Sequence, residues 1–73
     1  MKKWFHTFHP ETGQIEYQGK VVSNDGQRIR AQLFSWFTGF PTDIRTFPAE
    51  DAETWQFYKT AQAWRDAGDS AFL

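Results

Sequence analysis

Cysteine is absent from the 73 residues of this chain, which excludes disulfides and thiolate-held zinc as sources of stability. The absence also agrees with a reducing compartment. No apolar run approaches the ~20 residues that span a bilayer. The opening Met1-Lys2-Lys3-Trp4 lacks the apolar core of a secretory signal, so a cytoplasmic setting without membrane contact is expected. Neither sign of charge dominates. The net charge is −1, and bulk electrostatics therefore do not make the chain a polyanion binder. Repeats and low-complexity tracts are missing as well.

Aromatic residues, by contrast, are abundant: eight Phe, four Trp and two Tyr, 19% of the chain. Each removes on the order of 150–250 Å² from water when buried, and a domain this small needs that contribution. The densest stretch is Gln32-Leu33-Phe34-Ser35-Trp36-Phe37-Thr38-Gly39-Phe40. Such a run either fills the core or makes an adhesive surface.

Lys3–His9 reads as a strand, followed by the turn Pro10-Glu11-Thr12-Gly13. From 14 to 23 apolar and polar residues alternate, and Gly19 predicts a bulge or sharp bend. Asn24-Asp25-Gly26 is a hairpin signal. A third strand is expected over 27–37 and a short fourth over 44–47, closed by Pro48. Asp51 reads as the N-cap of a helix over 52–67 that carries Phe57, Ala61 and Trp64 on one face, with Gly68 ending it and a tail at 69–73. These elements predict one domain over 1–73 of α+β class. Its four-stranded antiparallel sheet would curl into an SH3-like half-barrel and pack on the C-terminal helix.

Trp4-Phe5-His6, Gln18-Gly19-Lys20-Val21-Val22, Gln32-Leu33-Phe34-Ser35-Trp36, Gly39 and Pro41-Thr42 together resemble a set of short uncharacterised bacterial proteins associated with plasmids and other mobile elements. That resemblance implies a bacterial accessory protein and no catalytic residues. At fold level the strand order is similar to SH3-like and Tudor-like barrels, which does not fix function.

Chemistry-bearing motifs are few. His6 and His9 are three apart in a strand and point to opposite faces, so with Glu11 they do not converge as metal ligands. Ser35 has no signature of an activated nucleophile. Glu50, Asp51 and Glu53 are explained by helix capping, and no Gly-rich phosphate loop occurs. The expectation is a non-enzymatic protein with no catalytic residues, metal or cofactor.

Two binding readings follow. Trp, Tyr, Phe and Arg anchor protein interfaces, so Arg28, Arg30, Phe34, Trp36 and Trp55 are the candidate surface for another protein or a second copy of the chain. Arg28, Arg30, Phe34 and Trp36 alternate on one strand face, which also suits a single-stranded nucleic acid. The charge distribution bears on both. Residues 1–46 hold six Lys or Arg against four Asp or Glu, a net of +2, whereas 47–73 hold two against five, a net of −3.

Overall fold

The computed structural model describes residues 3–35 and 37–71. Strands β1 (Trp4–Phe8), β2 (Ile15–Asn24), β3 (Arg28–Phe34) and β4 (Pro41–Pro48) follow one another. A 3-10 helix (Ala49–Thr54), strand β5 (Gln56–Tyr58) and helix α1 (Ala61–Ala71) complete the order. The strands form one five-stranded antiparallel sheet in the order β4-β3-β2-β1-β5. The α+β class and the C-terminal helix agree with the sequence reading. The half-barrel does not: β4 and β5 lie at opposite edges, and the sheet neither closes nor curls strongly.

The first two turns form as their residues dictate. Gly13 and Gly26 take positive φ, at 72° and 90°. Asp25 accepts from the backbone N–H groups of Gln27 and Arg28 at 2.9 and 2.7 Å, tying the β2–β3 hairpin shut. Those bonds hold its carboxyl below the ordinary carboxylate range, the Arg28 bond first.

Gly19 marks no bulge. It pairs regularly with Phe5 on one side and Leu33 on the other. The sheet's irregularities fall elsewhere, between His6 and Phe8, Val21 and Ser23, and Gln32 and Phe34. What requires glycine is space, because a β-carbon there would stand 2.9 Å from Phe5 Cζ and 2.8 Å from the Gln32 carbonyl oxygen.

The sheet buries both faces over part of its area. On one face Phe5, Ala31 and Leu33 form the core, with Tyr17, Val21, Phe47 and Phe57 packed against it. Trp55 covers this face, stacked on Phe5 at 4.3 Å and edge-on to Phe47 at 5.0 Å. On the opposite face Trp64 of α1 lies against Trp4, Phe34 and His6 at 4.7, 5.4 and 5.9 Å between ring centroids. Its indole Nε1–H donates to the Phe5 carbonyl at 2.9 Å. This satisfies the one polar atom of a buried indole.

The predicted helix over 52–67 is replaced by three elements. The segment after Pro48 is a 3-10 helix, and Asp51 lies inside it rather than at a cap. Gln56–Tyr58 then pair with β1, placing Phe57 opposite Phe5. The free edge of β1 offers backbone partners that outweigh weak helix propensity here. Helix α1 begins only after Thr60, whose Oγ1 accepts from Ala63 N at 3.1 Å and whose carbonyl accepts from Trp64 N at 3.2 Å. Gly68 is a buried residue within the helix, not its stop. Phe57 therefore belongs to the sheet, and Trp64 alone of the predicted Phe57/Ala61/Trp64 stripe is the helix's buried aromatic.

Candidate protein-binding surface

The β3–β4 connection is where the aromatic run of 32–40 leaves the sheet. β3 ends at Phe34 rather than 37, because Ser35 bends the chain. Its Oγ accepts from Phe37 N and Thr38 N at 3.2 and 3.4 Å, and its carbonyl accepts from Gly39 N at 3.0 Å. Ser35 N donates to Phe40 O at 2.9 Å, Phe40 N donates to Thr38 Oγ1 at 3.2 Å, and Gly39 takes φ 72°. Buried Gln18 fixes the base, donating its side-chain amide to Ser35 O at 3.2 Å. The loop is thus held by its own hydrogen bonds, yet its Phe side chains face water: Phe37 is 99% and Phe40 71% exposed.

Two shallow clefts flank this tip. One, of about 310 Å³, is lined by Tyr17, Leu33, Phe37, Asp43 and Arg45 among others. The second, about 240 Å³, lies between Phe34, Ser35, Gly39 and the helix residues Trp64, Gly68 and Asp69. Two exposed Phe side chains on a hydrogen-bonded turn, with a cleft on either side, can insert into a partner while receiving side chains beside them.

The residues singled out from sequence are dispersed over this frame. Arg28 and Arg30 are exposed on the helix-bearing face, as the alternation predicts. Phe34 shares that face but is half-buried against Trp64 and Trp4, the latter at 6.1 Å. It is therefore no open stacking platform beside the arginines. Trp55, expected on an exposed patch, is half-buried in the opposite core, because its ring covers Phe5. Trp36 lies outside the described residues. Phe37 and Phe40 were missed as surface residues because the strand pattern runs on through Phe37. The signal that marks them is Ser35 followed by Gly39-Phe40-Pro41, a polar bend residue and two conformational punctuators.

Beyond the helix, the face carrying Arg28 and Arg30 stays open. Register puts Lys20 opposite Gln32, Gln32 opposite Ile44 and Arg30 opposite Thr46. Lys20 Nζ sits 5.1 Å from the centroid of the Trp4 ring. Strand positions on this face carry Lys20, Arg28 and Arg30. Ile44 (53% exposed) and Val22 (56% exposed) add apolar area.

His6 is fully buried beneath α1 and shares a 2.9 Å hydrogen bond with the Tyr58 hydroxyl through Nδ1. Burial lowers its pKa to about 4, opposed by a hydrogen bond with Gln18. His9, in contrast, uses Nδ1 to accept from Glu11 N at 3.2 Å in the first turn. Among the described residues no three His, Asp or Glu side chains group as metal ligands, and no helix is long and apolar enough to cross a membrane.

No family model, curated protein or solved structure matches this chain.

Proposed function

We propose that this protein is a small non-enzymatic binding module that docks another protein through the aromatic tip of its β3–β4 hairpin. The observation that carries the reading is the pairing of backbone hydrogen bonding with side-chain exposure at Phe37 and Phe40. A turn whose backbone is already hydrogen-bonded loses less backbone entropy on docking than a loop without such bonds. Rigid aromatic anchors of this kind supply most of the energy in protein interfaces. The resemblance to short proteins of bacterial mobile elements suits an accessory role of this type in the cytoplasm.

The test is affinity capture from a bacterial extract with and without nuclease, using the parent chain and a Phe37→Ser/Phe40→Ser variant. Retained protein should survive nuclease and be lost in the variant, whose thermal unfolding should match the parent. Retention that nuclease abolishes, or that ignores the double substitution, would overturn the reading.

A second reading, single-stranded nucleic-acid binding, draws on Lys20, Arg28 and Arg30, which share one strand face. It predicts oligonucleotide binding that weakens in Arg28→Gln/Arg30→Gln, with a salt slope shallower by roughly 1–2 units. Phe34 is partly covered by Trp64 and is not an open stacking surface beside the arginines, so the protein-binding reading is preferred.

A further inference from the structure

Strand β4 is the long free edge of the sheet. Ala49 N donates to Gln27 O at 2.8 Å, continuing the register that sets Ile29 opposite Phe47 and Ala31 opposite Arg45. In an antiparallel pair, alternate residues turn their N–H and C=O groups toward the partner strand. Arg45 and Phe47 of β4 therefore face β3, and Ile44 and Thr46 direct their backbone groups outward, while Thr42 and Asp43 lie at the irregularity before Ile44. Pro48, the next outward position, has no donor to present.

The side chains along this edge read Thr42-Asp43-Ile44-Arg45-Thr46. The pattern has a charge-complementary centre. If a second strand of the same sequence is laid antiparallel about Ile44, Ile44 meets Ile44, Asp43 meets Arg45, Arg45 meets Asp43, and Thr42 meets Thr46. Ile44 is the outward-bonding residue that such a symmetric pairing needs at its axis. Neighbouring registers of the same parity are disfavoured. Moving the axis to 43 sets Asp43 against Asp43, and moving it to 45 sets Arg45 against Arg45. Pro48 closes the pairing window at one end, and the irregularity of the β3–β4 ladder, which falls opposite Thr42 and Asp43, closes it at the other.

Arg45 is already positioned for the contact. Its Nη1 donates to the Tyr17 hydroxyl at 2.6 Å and its guanidinium lies 4.9 Å from the Tyr17 ring centroid, leaving other N–H groups for a carboxylate. Asp43 and Arg45 are both exposed, and Ile44 offers apolar area on the opposite face.

We infer that β4 pairs with β4 of a second copy about a twofold axis through Ile44, joining two sheets into one and closing the exposed edge with two reciprocal Asp43–Arg45 pairs. The two hairpin tips then lie on either side of the axis, roughly 25 Å apart along the strand direction. The protein becomes bivalent for whatever its tips bind. This association uses the strand edge and is independent of Phe37 and Phe40.

Sedimentation equilibrium on the whole chain tests it, with circular dichroism confirming that each variant is folded. The parent should show a concentration-dependent dimer. Asp43→Arg places cations opposite cations and should raise the dissociation constant on the order of tenfold or more. Arg45→Asp should do the same with carboxylates. Mixing the two variants should restore a one-to-one dimer, since one strand then carries two cations and the other two carboxylates. The double variant Asp43→Arg/Arg45→Asp should dimerise alone, and Phe37→Ser/Phe40→Ser should leave the parent's dimer intact. A monomeric parent across the accessible concentration range would overturn the inference. So would a dimer indifferent to Asp43→Arg, or a mixture that fails to associate.

Discussion

The ring of Phe5 lies over the backbone of Gly19, so close that a β-carbon on the glycine would stand 2.9 Å from Cζ. Phe5 is fully buried and joins the two layers of packing. Its ring is stacked by Trp55 on one side of the sheet, while its carbonyl receives the Trp64 indole N–H from the other. A Gly19→Ala substitution must displace this ring and also meet the Gln32 carbonyl at 2.8 Å, which a strand backbone cannot readily yield. The expected loss is about 1–3 kcal/mol, read from a urea midpoint. A Gly19→Ala variant as stable as the parent would show that the ring does not occupy this position.

The helix start gives a second expectation. Thr60 supplies the capping oxygen to Ala63 N, so Thr60→Ala should cost about 0.5–2 kcal/mol. Asp51 is exposed in the 3-10 helix, which has no side-chain cap, and Asp51→Ala should stay within about 0.5 kcal/mol of the parent. Thermal or urea unfolding of the two variants side by side decides between this assignment and a helix capped at 51. The reverse order of effects would restore the longer helix.

His6 makes stability depend on pH. Burial lowers its folded pKa from 6.5 to about 4. As pH falls, the unfolded chain therefore takes up a proton before the folded one does. The stabilisation is full above about pH 6.5 and is lost progressively toward about pH 4, with a slope of at most about 1.4 kcal/mol per unit. Asp25, held below its ordinary value by backbone N–H groups, titrates beneath this window. Urea midpoints at pH 7 and pH 5 should differ in the parent, and the His6 ring should remain neutral by NMR at pH 5. Equal midpoints, or a ring that titrates near its ordinary value, would contradict the burial of this imidazole.

The parts of the fold legible in the sequence are those governed by local rules. The β1–β2 and β2–β3 turns sit where Pro10, Gly13, Asn24, Asp25 and Gly26 put them, because positive φ and short side-chain hydrogen bonds are properties of a few adjacent residues. The alternation of Ile29, Ala31 and Leu33 with Arg28, Arg30 and Gln32 likewise gave β3 its two faces. Tertiary structure decided the rest. Gln56–Tyr58 became a strand because β1 had a free edge to pair with, a fact about a segment some fifty residues away. Gly19 was needed by a ring from β1, not by its own backbone. Whether an aromatic was core or surface also depended on what lay opposite. Trp55 found Phe5 to cover, Phe34 found Trp64, and Phe37 and Phe40 were carried past the sheet by Ser35 and found no cover within the described residues. Hydrophobicity alone states that a side chain gains by leaving water, but the partner that makes burial possible is chosen only when distant segments meet.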